Sequence, residues 1–186
     1  MVKLNKIYTR SGDGGESGLV DGSRLAKDHV RFSTIGDVDE ANAAIGFARV
    51  ALENGSAADK FLARVQNDLF DLGADLATPG EVEGALRLAE GRAAALEAEI
   101  DALSGELGPL TSFVLPGGTE AAARLHLART LVRRSERTVV ALHAQSPLNP
   151  EILKYLNRLS DLLFQLARAE NNLGENDILW KPGGDA

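Results

Sequence analysis

The sequence predicts an all-α protein, an up-and-down bundle of five helices behind a glycine-rich N-terminal loop. Three observations carry this expectation. Apolar positions recur every three or four residues from about residue 33 onward, helix-capping residues stand at the head of successive apolar runs, and Gly and Pro punctuate the gaps.

Between positions 9 and 22 five glycines (Gly12, Gly14, Gly15, Gly18, Gly22) are too many for a helix and suit a loop with unusual backbone angles. The first helix is expected over about 37–54, where Asp37 and Glu40 have capping-box spacing ahead of an alanine-rich run. Ser56 and Asp59 repeat that signal for a second helix to about 78, which Pro79-Gly80 stops. A third fits roughly 82–107, with Leu86, Leu88, Ala89, Leu96, Ile100 and Leu103 at mostly helical spacing. The stretch 110–118, LTSFVLPGG, is extended or looped, because Pro116 and the paired glycines break any regular element. A long fourth helix is expected over 119–145. Asn149 and Pro150 are the cap and first-turn pair of a fifth, which runs through Ile152, Leu156, Leu159, Leu163 and Leu166 to about 174. Helices joined by short connections make the up-and-down bundle the natural arrangement, with strands marginal at most. A single domain over 1–186 then divides into the loop (1–32), the bundle (33–174) and a C-terminal tail (175–186).

Composition narrows the function. The chain has 186 residues, long enough to bury a substantial core, with 44% hydrophobic and 25% charged residues. No apolar run approaches the roughly 18 to 20 residues that span a bilayer. The start, Met1-Val2-Lys3-Leu4-Asn5-Lys6, lacks a secretory h-region and a transit-peptide pattern, so a cytoplasmic protein is expected. Cysteine is absent, which excludes disulfides, thiolate metal sites and a cysteine nucleophile. A net charge of −7 and a pI near 5.0 argue against nucleic acid and anionic membranes as partners, so local charge must hold any anionic ligand.

Two cationic segments supply such charge. In the loop, glycines, Thr9, Ser11, Ser17 and Arg10 offer the amides, hydroxyls and cation that phosphate binding needs, although no Walker A or GxGxxG spacing is present. A flexible surface loop fits the same composition. On the fourth helix Arg129, Arg133 and Arg137 are spaced i, i+4, i+8 beside Arg124 and Arg134, and their planar forks suit a polyphosphate clamp. A solvated face paired with Glu136 and other acids is the alternative. On the fifth helix Asn157 and Asp161 are i, i+4 neighbours able to meet a ligand or a neighbouring subunit. Phe113 and Leu115 either cap the core or face something bulky. His29, His126 and His143 lack metal-ligand spacing and read as structural or surface residues, and no Ser-His-Asp set is evident.

Taken in order, these segments resemble the PduO-type cob(I)alamin adenosyltransferases. The resemblance begins with Ile7-Tyr8-Thr9-Arg10-Ser11-Gly12-Asp13-Gly14-Gly15 and continues through Lys27-Asp28 and Gly36-Asp37-Val38-Asp39-Glu40-Ala41-Asn42. It resumes at Gln66-Asn67-Asp68-Leu69-Phe70-Asp71-Leu72-Gly73, at Phe113-Val114-Leu115-Pro116-Gly117-Gly118, and at His126-Leu127-Ala128-Arg129. It closes with Arg133-Arg134-Ser135-Glu136-Arg137 and Tyr155-Leu156-Asn157-Arg158-Leu159-Ser160-Asp161-Leu162-Leu163-Phe164. The ordered set spans nearly the whole chain.

The resemblance implies an enzyme that moves the 5′-deoxyadenosyl group of ATP onto the cobalt of cob(I)alamin, giving adenosylcobalamin and triphosphate. It implies a homotrimer with ATP bound between subunits, Mg²⁺ accompanying the nucleotide, and product hand-over to an adenosylcobalamin-dependent enzyme. Thr9, Arg10, Ser11, Gly12, Ser17, Gly18 and Lys27 would hold and order the phosphates. Arg133, Arg134, Glu136, Arg137 and Asn157 would complete the nucleotide and Mg²⁺ environment, with Glu136 the candidate metal ligand and Arg134 the candidate catalytic group. Asp39 and Arg129 resemble an intersubunit ion pair, and Phe113 the residue covering the lower face of the corrin. The tail at 178–182 is expected to add apolar cover. A corrinoid carrier gated by ATP and a non-catalytic helical bundle are the rival readings.

Overall fold

The computed structural model describes residues 7–184. The parts of the expected loop and tail at 1–6 and 185–186 lie outside the described residues. Five helices follow a short hairpin: β1 (Glu16–Gly18), β2 (Arg24–Ala26), α1 (Val30–Arg49), α2 (Ala57–Leu76), α3 (Arg92–Ser104), α4 (Glu120–His143) and α5 (Pro150–Glu170). α1 packs on α2 and α4, α4 on α5, and α5 on α3.

Two of the expected caps form, at Ser56 and Asn149, and Thr119 supplies a third. The Ser56 hydroxyl accepts from the Asp59 amide at 3.1 Å, Thr119 Oγ1 from Ala122 N at 3.1 Å, and Asn149 Oδ1 from Glu151 N at 3.0 Å. The first helix departs from expectation. It starts at Val30, inside the segment assigned to the loop, because His29 Nδ1 accepts from Arg31 N at 3.1 Å and caps it. Histidine is not a usual capping residue, and the Asp37/Glu40 spacing that suggested a start lies within the helix. The third helix is shorter than expected. Its first ten expected residues are irregular, with Gly84 and Gly91 at positive φ, and buried Leu88 reaches the core from outside any helix.

The core runs along all five helices. α5 contributes most, with Ile152, Tyr155, Leu156, Leu159, Leu162 and Leu163 fully buried. Each such side chain adds about 1.5–3 kcal/mol of burial, so α5 is the spine of the bundle. Small residues let α1 and α4 approach closely. Thr34 Oγ1 donates to Val30 O at 2.8 Å and faces Thr138 O at 3.3 Å, while Ser135 Oγ donates to Asp37 O at 2.8 Å. Two faces of the bundle are thereby fixed: an arginine-bearing face of α4, and a groove between α1 and α2.

Candidate active site

The glycine-rich segment folds into a hairpin with a tight turn before it. Ser17 and Gly18, expected in a phosphate loop, sit in β1 opposite Leu25 and Arg24. Asp13 N donates to Arg10 O at 3.2 Å and Gly15 N to Gly12 O at 3.1 Å, coiling the turn, and Lys27 N ties back to Gly15 O at 2.8 Å. Thr9 Oγ1 and Ser11 Oγ lie 2.7 Å apart. Arg10 has φ 61, a costly conformation for a non-glycine residue, and its guanidinium lies over the Tyr8 ring. A Cβ at Gly12 would stand 2.9 Å from Lys27 Nζ, so the lysine ammonium rests directly against the loop backbone. Arg24, which the sequence reading passed over, clasps the assembly by donating to Ser11 O at 2.8 Å and Glu16 O at 3.2 Å. The hairpin had a signal, Asp21-Gly22, which favours a tight turn between strands.

The second cluster lies on α4 and α5. Arg133 and Arg137 are exposed, and Arg137 donates to Arg133 O at 3.1 Å. Arg134 reaches α1, where it pairs with Asp37 at 3.2 Å and with Glu40. Asp37 and Glu40, first read as a capping pair, are therefore the partners of an arginine. Asn157 Nδ2 donates to Glu136 Oε1 at 2.9 Å and its Oδ1 accepts from Arg158, itself bonded to Glu97 at 2.7 Å. Burial raises the Asp161 carboxyl pKa, with Arg158 and Arg133 opposing and Glu136 adding to the rise. Glu136 and Asp161 thus share one electrostatic neighbourhood with Arg133. A Mg²⁺ ion suits this donor set as one bound through one or two carboxylates together with phosphate oxygens.

Arg129 is half-buried, and its Nε is buried without a hydrogen-bond partner. Burial, then the charge of Arg133, lowers its pKa. Asp39 is exposed at the rim of the α1/α2 groove, about 450 Å³, whose apolar lining includes Phe32 and Phe70. The expected Asp39–Arg129 pair does not form within one chain.

Phe113 is 77% exposed and meets Trp180 edge-on, with ring centroids 5.9 Å apart. The segment around it is paired to the tail: Trp180 N donates to Phe113 O and Leu115 N to Ile178 O, both at 2.7 Å. Behind this pairing lies a buried anchor absent from the sequence reading. Arg168 and Asp177 form an ion pair at 2.8 Å with side chains 6% and 2% exposed. Asn171 Oδ1 accepts from Thr119 N at 3.0 Å while its Nδ2 donates to Gly117 O at 3.2 Å. Gly118, at φ +95, lies against Asn171 where a Cβ would collide. Arg168, Asn171 and Asp177 together hold 113–118 and the tail in register.

Among the described residues no hydrogen bond or ion pair joins Thr9–Lys27 to Arg133, Arg134, Glu136 or Arg137. The two cationic clusters are separate within the described chain. A family model described as cobalamin adenosyltransferase matches residues 7–170, which include both of them. The chain belongs to the cobalamin adenosyltransferase family. The corrinoid adenosyltransferase of Mycobacterium tuberculosis is 49% identical over 99% of this chain and 97% of its own. That of Mycobacterium leprae is 46% identical over 98% of this chain and 99% of its own. A variant PduO-type ATP:corrinoid adenosyltransferase from Lactobacillus reuteri, solved with cobalamin and ATP, superposes with a TM-score of 0.88. It shares 36% identity over 95% of this chain and 99% of that one. The five-helix bundle expected from sequence is thus the adenosyltransferase fold. No helix among the described residues is long and apolar enough to cross a membrane.

Proposed function

We propose that this adenosyltransferase transfers the 5′-deoxyadenosyl group of ATP to cob(I)alamin. The observation that carries the reading is the near full-length match to a structure holding both cobalamin and ATP. The chemistry asks little covalent work of the protein. Cobalt in the cob(I) state is the nucleophile: the Co–C5′ bond forms with its electron pair, the C5′–O5′ bond breaks, and triphosphate leaves with the bonding pair. The protein must hold the two reactants in line and stabilise the leaving charge.

Residue roles follow from that demand. Lys27 and the amides around Gly12 meet the phosphates from the loop side, with Thr9, Arg10, Ser11, Ser17 and Gly18 ordering the turn. Arg133, Arg134 and Arg137 meet them from the bundle side, where Asn157 holds Glu136. Glu136 would carry Mg²⁺, which adds charge neutralisation at the phosphates. Phe113 and Trp180 present an apolar wall that keeps water from the lower axial position of the cobalt and so favours the four-coordinate state that reduces more easily.

We propose further that the two cationic clusters are half-sites that meet between copies in a homotrimer. Arg129, with a buried donor unsatisfied, and Asp39, with no ion-pair partner among the described residues, are complementary ends of such a contact. The division into a loop (1–32), bundle (33–174) and tail (175–186) is retained as a functional one, with the tail serving the corrin side. Hand-over of adenosylcobalamin to a dependent enzyme completes the reading.

The test is an anaerobic optical assay with chemically reduced cob(I)alamin, Mg-ATP and the purified protein. ATP-dependent growth of the light-sensitive adenosylcobalamin spectrum is expected. Tight binding of ATP and corrinoid without product would overturn the transferase in favour of a carrier, and no binding of either would leave only a structural bundle.

A further inference from the structure

At the end of the bundle where α1 begins and α2 and α4 end, Arg31 is 4% exposed. Buried arginines normally face a carboxylate, and this one does not. Its NH1 donates to Leu76 O at 2.6 Å and its NH2 to Ser146 Oγ at 3.0 Å, both neutral acceptors, and among the described residues it has no ion pair. Those bonds engage two of the five N–H groups that a guanidinium offers.

The surroundings do not supply the missing charge. Arg87 faces the same space, but the nearby buried carboxylate, Asp75, is spent on it at 2.7 Å and also accepts from Leu88 N at 3.0 Å and Asn149 Nδ2 at 2.9 Å. Asp21 lines one of the cavities beside Arg31 and acts on it electrostatically, but it is exposed, makes no ion pair with it, and accepts from Ser23 N at 2.9 Å and from the Ser23 hydroxyl at 2.6 Å. Glu81 is exposed at the rim. Buried Arg31 and Asp75 and half-buried Arg87 together carry a net positive charge; burial lowers the pKa of Arg31, with Asp21 opposing that fall and Arg87 adding to it.

Two cavities meet at this guanidinium. One, of about 500 Å³, is lined by Asp75, Glu81, Arg87, Ser146 and Asn149; the other, of about 410 Å³, by Asp21, His29, Gln145 and Ser146; Arg31 lines both. We propose that Arg31 anchors a second anion site, separate from the nucleotide half-sites, that takes a phosphate-class oxyanion. The guanidinium fork meets such an anion bidentately. The Ser146 hydroxyl, already accepting from Arg31, has its own proton to donate, and the Gln145 amide lies beside it. Donors converging from more than one direction suit a tetrahedral anion better than a planar carboxylate.

The experiment is thermal unfolding of the full chain, saturated with Mg-ATP so that the nucleotide site is filled, during titration with inorganic phosphate at constant ionic strength. Acetate and chloride serve as comparison anions and triphosphate as a second phosphate source. Inorganic phosphate is expected to raise Tm progressively, as linkage requires, and acetate and chloride are not. Triphosphate acting alone in its place would assign the site to the reaction product and overturn a general phosphate site. Arg31→Met is expected to lose the phosphate-dependent rise and Arg31→Lys to retain part of it. Glu81→Lys, at the exposed rim, is expected to shift the phosphate midpoint several-fold to lower concentration, and it keeps the test decisive if Arg31→Met does not fold. No rise in the ATP-saturated wild type, a rise equal with acetate, or an unchanged midpoint in Glu81→Lys would overturn the proposal.

Discussion

The loop at 9–27, whose Arg10, Arg24 and Lys27 are matched by Asp13, Glu16 and Asp21, and the arginine face of α4 present their cations on very different supports. The loop is exposed almost throughout; Leu19 is its one buried apolar anchor, and backbone turns, Arg24 and one bond from Val20 N to Ala77 O hold its shape. The arginine face rides on a helix whose opposite side, Leu125, Ala128, Val132 and Val139, is fully buried. A helix pre-positions its charges at no further cost when ligand arrives, whereas a loop with few buried contacts opens easily and gains order from the ligand. Lesions on the helix should therefore appear in the chemical step, and lesions in the loop in ATP affinity.

Arg134→Ala gives the largest effect. In the proposed role its charge stabilises the leaving triphosphate, and removing it is expected to cost about 100-fold or more in kcat. The side chain is 39% exposed and its partners Asp37 and Glu40 can rehydrate, so the fold and the proposed trimer are expected to persist. A kcat within a few-fold of wild type would return Arg134 to a purely structural α1–α4 link.

Phe113→Ala comes next and separates a third region from both halves. Its exposure means that Tm barely moves, while loss of the proposed contact with the corrin is expected to cost about 1.5–3 kcal/mol, roughly tenfold or more in rate. The loss should be concentrated in assays that start from cob(II)alamin with a reductase. Equal loss with pre-reduced cob(I)alamin would show that the wall serves the transfer step and not the reduction.

Gly12→Ala tests the loop half. The new methyl displaces a flexible lysine tip, so stability changes little, but Lys27 can no longer rest against the loop. The KM for ATP should rise about three- to tenfold with kcat nearly unchanged. A fall in kcat instead would mean that the loop acts in the transition state, and the contrast drawn between the two halves would fail.

The helices and the two cationic clusters were legible in the sequence because capping, periodicity and composition are local. Ser56, Thr119 and Asn149 announce their helices within four residues. What could not be read depends on pairing across the fold. Asp37 and Glu40 have the spacing of a cap, and only the packing of α1 on α4 makes them partners of Arg134. Arg168 and Asp177 are nine residues apart across a reversal at Asn172 and Leu173, both at positive φ. No periodic signal foretells that return, and with it the placement of Trp180 beside Phe113. Arg31 was illegible for the same reason: its burial is created by α2 and the turn after α4, remote in sequence.

The smallest effect belongs to the bundle interior, which should be indifferent to both half-sites. Tyr155 is fully buried and its hydroxyl donates to Asp68 Oδ2 at 3.1 Å, with Arg92 3.5 Å from the same carboxylate. Burial, followed by Asp68 itself, pushes the phenol well above its ordinary range, so it remains a donor at every accessible pH. Burial also raises Asp68 above 3.8, against the pull of Arg92 and of the Tyr155 bond. A carboxyl whose folded pKa is raised binds its proton more tightly when folded. Its contribution therefore favours the fold below the unfolded value and is lost as pH climbs through the raised folded value. Asp68→Asn should remove this falling component, so that denaturation midpoints of variant and wild type diverge across the weakly acidic range and run parallel above it. Tyr155→Phe, which removes one hydrogen bond and leaves Arg92 in place, should cost about 1 kcal/mol without altering the KM for ATP. Parallel pH curves at all values would mean that Arg92 and the phenol fully offset burial at Asp68. A changed KM would tie the bundle interior to the loop and dissolve the division between a rigid half-site and one ordered by its ligand.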